Sequence, residues 1–225
     1  MPPRSRHDQI RSEKLWQDAP SNGGPGTRAF RSGKKDALTA AQVKQIRRVL
    51  ADKGVAGLRD LALFAVAIDS MLPGPQLLGL TVKDVQRSDG TIRPVIEVVR
   101  PKGMPTVRCA LSKATATALG KLIALSGKRR TDYVFSSRRA GPHHPMTVRQ
   151  LNRLLKSWFA EAGLDPKKYG KESLRRTRAV HILDRTGDIE TVRVLLGHTK
   201  IESTARFLRI TRKSDPIAIA RAFEI

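Results

Sequence analysis

Three stretches in the C-terminal half carry the side chains best suited to chemistry. Lys171-Glu172-Ser173-Leu174-Arg175-Arg176-Thr177 places two guanidinium groups side by side in a helical pattern, Leu195-Leu196-Gly197-His198 closes the next, and Ser203-Thr204-Ala205-Arg206-Phe207 follows. Arginine offers a planar fork of donors that matches a phosphate group. Around these stretches, residues 147–186 hold ten Lys+Arg against four Asp+Glu, among them Arg149, Arg153, Lys156, Lys167, Lys168, Lys171, Arg176 and Arg178. Such a stripe tracks the phosphates of a duplex and makes affinity fall steeply with salt. The whole chain, 225 residues with 43 Lys+Arg against 20 Asp+Glu, has a formal charge of +23. That charge opposes compaction unless a polyanion is the usual partner. With only 4% aromatic residues a base-stacking platform for single strands is disfavoured, so double-stranded DNA is the expected partner.

The elements that must position these residues follow from periodicity. Residues 1–37 combine eight basic residues with the Ser21-Asn22-Gly23-Gly24-Pro25-Gly26 run and too few apolar positions for a packed face, and read as a mobile basic arm. Residues 38–225 read as one domain. Thr39 caps a helix with apolar positions Val43, Ile46 and Leu50, ended by Gly54. A nearly all-apolar helix from Leu58 to Leu72 belongs at the centre of a core, with Pro73-Gly74-Pro75 as its stop. The β-branched runs on either side of Pro101-Lys102-Gly103-Met104-Pro105 predict a hairpin between Thr91 and Leu111 with a lysine at its tip. Helical patterns then cover 112–126, 147–163, 172–186, 188–196 and 202–208, and a short tail helix follows Ser214-Asp215-Pro216. The expected class is mostly α with a small antiparallel β-sheet.

The longest apolar run, Leu61 to Ile68, is far short of the ~20 residues that span a bilayer, so no membrane association is expected. Cys109 is the only cysteine and the five histidines are scattered, which leaves no internal disulfide and no Cys-rich zinc site. A reducing compartment, the cytoplasm, fits, and neither metal nor cofactor is expected.

Ser173-Leu174-Arg175-Arg176-Thr177 followed by Leu195-Leu196-Gly197-His198 resembles the C-terminal catalytic domain of the tyrosine recombinases, or phage-type integrases, over about residues 39–225. It is most similar to short members such as the fimbrial-switch invertases. The resemblance implies that fold and a site in which two arginines and one or two histidines hold the scissile phosphate. A hairpin lysine protonates the leaving oxygen, and a tyrosine forms a phosphotyrosyl bond. By position, Arg175 matches the second arginine, His198 the Leu-Gly-His histidine and Lys102 the lysine. Three positions depart. Pro73 stands at the first arginine, Glu172 at the histidine three residues before Arg175, and Phe207 at the nucleophile, nine residues after His198.

Phenylalanine has no oxygen to attack phosphorus, proline donates nothing to a phosphate, and a carboxylate repels one. Together they imply a duplex-binding regulator or accessory factor that has lost strand cleavage. Its partners would be DNA and, through the C-terminal helix, a second copy or an active recombinase. Two rival readings are a divergent recombinase that still cuts and a general basic nucleic-acid binder. Structural roles stay open as well: a solvated turn lysine for Lys102, a solvated basic face for Arg175 and Arg176, and a helix C-terminal contact for His198. His181 reads as a core or groove residue and Tyr133 as core. Tyr169 reads as a phosphate-contacting hydroxyl rather than a nucleophile.

Overall fold

The computed structural model describes residues 35–100, 105–137 and 141–209. Its helices are α1 (Ala40–Ala51), α2 (Gly54–Ser70), α3 (Gly74–Leu78), α4 (Val82–Val85), α5 (Lys113–Ser126), α6 (Val148–Glu161), α7 (Lys171–Thr186), α8 (Ile189–Leu196) and α9 (Ile201–Leu208). Strands β1 (Val95–Val98) and β2 (Val107–Ala110) form one antiparallel ladder, and β3 (Ser136–Ser137) and β4 (Gly141–Pro145) another. The class is mostly α, as the periodicity predicts. The second ladder corrects the expectation of a single sheet. It is too short and too irregular, with a register shift between Ser136 and Ser137, to leave an alternating pattern.

Helix α2 is the hub. Every residue from Ala62 to Ser70 is buried, and α1, α5 and α7 pack around it. It begins at Gly54, before the Leu58 expected from apolar spacing, and it ends before Pro73. Met71 takes a left-handed conformation with φ 51°, so the chain turns there and Pro73 merely precedes α3. Thr39, Ser112 and Thr147 cap α1, α5 and α6, each hydroxyl accepting from a backbone N–H of the first turn. In the first ladder Ile96 faces Cys109 and Val98 faces Val107, which turns Ile96, Val107 and Cys109 into the core. The Cys109 thiol donates to the Ser70 carbonyl, and burial pushes its pKa up to about 12.

Residues 35–37 are not part of a free arm. The Asp36 N–H donates to the Lys168 carbonyl at 3.0 Å, the Asp36 carboxylate pairs with Arg209 at 2.8 Å, and the Leu38 N–H donates to the Thr177 hydroxyl at 2.8 Å. Thr177 is itself buried, so this segment is fastened across α7. The rest of the expected arm, the hairpin-tip Lys102 and the tail helix lie outside the described residues.

Two apolar clusters result. The larger surrounds α2, and a smaller one joins Met71, Ala179, Val192, Leu196 and Leu208, with Phe207 packed against it. In the larger, Phe64 meets Trp158 edge-on, ring centroids 6.2 Å apart, while the indole N–H donates to Asp60 at 3.2 Å. Phe64→Ala is therefore expected to cost about 3–5 kcal/mol, a large part of the ~5–15 kcal/mol that holds a domain together. Urea denaturation would read this as a much lower midpoint.

Candidate functional site

The seam between the two clusters collects the residues singled out from the sequence. Arg175, on the second turn of α7, has an 11% exposed side chain and donates from Nε to the Met71 carbonyl at 2.7 Å. The left-handed turn at Met71 aims that carbonyl, so the end of α2 fixes the guanidinium. Its Nη1 lies 3.4 Å from Glu172 Oε2. Burial lowers its proton affinity, the Glu172 carboxylate works against that, and Arg100 adds to it.

Phe207, on α9, sits under two guanidiniums. Arg175 Cζ lies 5.3 Å and Arg176 Cζ 5.1 Å from the ring centroid, and His198 meets the ring edge-on at 5.8 Å. Both guanidiniums are within cation–π range of the ring. The position read as that of a nucleophile is thus at the centre of the site, and it is occupied by carbon.

His198 follows the left-handed Gly197 that closes α8, with φ 65° there, and its Nδ1 is 3.0 Å from the Thr204 hydroxyl at the base of α9. Burial, then the charges of Arg175, Arg100 and Arg193, lower its pKa to about 4. The imidazole is neutral at pH 7. The unfolded histidine titrates near 6.5, so as pH falls from there to about 4 the unfolded chain takes up a proton that the folded chain refuses, and stability falls across that window.

The basic stripe is only partly as expected. Arg149, Arg153 and Lys156 recur at four- and three-residue spacing on α6, exposed, opposite the buried Leu151, Leu155, Trp158 and Phe159. Lys167, Lys168 and Arg178 are exposed and Lys171 is half-buried. Arg176 does not belong to this surface. It is buried, its Nε donates to the Phe207 carbonyl at 2.9 Å, and its Nη1 has no hydrogen-bond partner among the described residues.

Tyr169 is also placed differently from the expectation. Its hydroxyl accepts from the Gln42 amide at 3.0 Å and its ring packs against Phe159, so it ties α1 to the loop before α7. Tyr133 is buried, and half-buried His181 lines a surface groove with Arg178 and Arg185. Pro73 stands at the start of α3, beside a small cavity lined by Leu72, Gly74, Lys171, Glu172 and Arg175. Gln76, a turn later, is buried with both amide atoms unpartnered among the described residues. Arg100, at the end of β1, is the functional candidate that sequence reasoning missed. Among the described residues no three His, Cys, Asp or Glu side chains gather as a metal would require, and no helix is long and apolar enough to cross a membrane.

This arrangement, a buried central helix with a small hairpin and further helices packed around it, is the fold of a tyrosine recombinase catalytic domain. The crystal structure of XerA recombinase superposes with a TM-score of 0.68 at 21% identity, covering 86% of this chain and 67% of that one. A XerH site-specific recombinase bound to its difH substrate gives 0.66 at 17% identity, over 85% of this chain and 55% of that one. The model of the phage integrase family matches residues 36–213, and the chain belongs to that family. Among curated relatives it is similar to the tyrosine recombinase XerC of Syntrophus aciditrophicus, 25% identical over 165 residues, which cover 70% of this chain and 51% of that protein. It is also similar to XerD of Shewanella oneidensis, 25% identical over 180 residues, 79% of this chain and 58% of that protein. The chain thus spans a little over half the length of these relatives.

Proposed function

We propose that this domain binds duplex DNA through the basic face of α6 and the loop before α7, seats a backbone phosphate near Arg175 and His198, and does not cut the strand. Its role is then regulatory or accessory: occupying sites that an active recombinase or a transcription complex would use. The observation that carries this reading is Phe207, held against Arg175, Arg176 and His198 at the position that the resemblance gives to the nucleophile. The XerH structure bound to its difH substrate and the Tn1549 transposon integrase in complex with transposon right end DNA support DNA as the ligand of the shared fold.

The test is to incubate the protein with labelled duplex and then denature the sample. Retarded complexes before denaturation and no protein-linked strand after it are expected. A phosphotyrosyl adduct at Tyr169 or Tyr133 would overturn the reading. Competition by random-sequence duplex at rising salt separates site-specific binding from that of a general basic binder.

A pH dependence follows. A phosphate beside His198 stabilises the imidazolium, so the bound-state pKa lies above the free value of about 4. Binding then takes up a proton, and duplex affinity strengthens as pH falls from neutrality toward that value. His198→Gln removes this increment, and anisotropy titrations of both proteins across pH measure it.

A further inference from the structure

Pro73 leaves the first arginine position without a donor, yet a guanidinium reaches the same seam from a different element. Arg100 continues from β1, and its Nη1 donates to the Gly197 carbonyl at 2.6 Å, across 97 residues of sequence. Its Nε is buried and has no hydrogen-bond partner among the described residues. The close approach depends on Gly197: a Cβ there would collide with the Arg100 guanidinium and come within 2.6 Å of Val107 Cγ2.

The surrounding charges are unbalanced. Glu172 lies against Arg175 and Glu190 against Arg193, while no carboxylate pairs with Arg100 among the described residues. Its charge is felt by both neighbours, lowering the pKa of His198 and of Arg175. A partly buried guanidinium with an unpartnered Nε is costly to hold in an empty site and favourable beside an anion.

We propose that Arg100 supplies the guanidinium that Pro73 does not, so that Arg100, Arg175 and His198 close on one backbone phosphate of the bound duplex. The clamp is built from the hairpin side rather than from the end of α2. This rests on the proposed binding of duplex phosphate in the seam, and adds to it a residue and a direction of approach.

Fluorescence anisotropy with a random-sequence duplex over a series of salt concentrations tests it, using Arg100→Gln, Arg100→Lys and Arg175→Ala, each checked for cooperative thermal unfolding. Glutamine carries no charge, and its amide nitrogen stops two bonds short of the Nη1 position that meets the Gly197 carbonyl, so the thermal unfolding check reads the loss of that tie separately from binding. Arg100→Gln is expected to weaken binding roughly tenfold, as loss of a charge-assisted bond does, and to make the slope of log affinity against log salt shallower by about 0.9, the value of one phosphate contact. Lysine keeps the charge without the fork, so the slope stays at the wild-type value while affinity falls a few-fold, about as expected for losing bidentate geometry. A wild-type slope and affinity for Arg100→Gln, with both reduced for Arg175→Ala, would overturn the role of Arg100 alone and leave it a tie between β1 and α8. A reduced slope for Arg100→Lys would overturn it too. Unchanged binding in both Arg100→Gln and Arg175→Ala would show that the seam does not meet DNA, and the underlying reading would fall with it.

Discussion

Phe207→Tyr is expected to leave duplex DNA uncut. The ring lies 5.3 and 5.1 Å from two guanidiniums, so the new hydroxyl would enter a strongly cationic site where its ionisation is favoured. A nucleophile is nevertheless only one part of phosphoryl transfer. Pro73 donates nothing from the start of α3, and Glu172 sets a carboxylate against the guanidinium that would stabilise the developing charge. Arg100, approaching from the hairpin with Nη1 engaged on Gly197, supplies its guanidinium to hold the phosphate from another direction, so neither the Pro73 nor the Glu172 position regains a donor aimed at the transition state. Each missing transition-state donor costs about 2.7–4 kcal/mol, a factor of roughly 10²–10³ in rate, and two such losses act together. A denaturing gel of end-labelled duplex incubated with the variant should show full-length strand only. Rapid accumulation of a protein-linked fragment would mean that the donors are present in some other form.

Arg175→Ala is expected to weaken both the fold and the complex. The guanidinium bridges the Met71 carbonyl, Glu172 and the Phe207 ring, and so joins the end of α2 to α7 and α9. Removing it strips a buried carbonyl of a charged donor, which costs about 1.5–3 kcal/mol of stability. Duplex affinity should fall by a further ~1–3 kcal/mol, equally for specific and random sequences, because phosphate contacts position a protein without reading bases. Urea denaturation separates the first effect from the second, which is measured by anisotropy below the unfolding transition. Unchanged affinity at every salt concentration would make Arg175 purely architectural.

What could be read in the sequence was local. Thr39, Ser112 and Thr147 announce their helices because a capping hydroxyl acts within three residues, and α2 announces itself because a helix apolar on every face has nowhere to go but the centre. The basic face of α6 follows from spacing alone. What could not be read depends on contacts between distant segments. Arg176 looks like its exposed neighbours until α9 closes over it. The Tyr169 hydroxyl looks available until α1 brings Gln42 against it. Arg100 is a lone arginine at a strand end, and nothing nearby hints that Gly197 will receive it. The turn at Met71 was equally hidden, since a non-glycine residue in a left-handed conformation carries no signature in the chain.

The most direct test of binding without cleavage is a footprint on the duplex DNA flanking the protein's own gene, with half of each sample protected and probed and half denatured and run beside it. A protected segment whose two strands remain full length is the predicted result. A break within the protected segment, carrying protein covalently attached to one end, would contradict it.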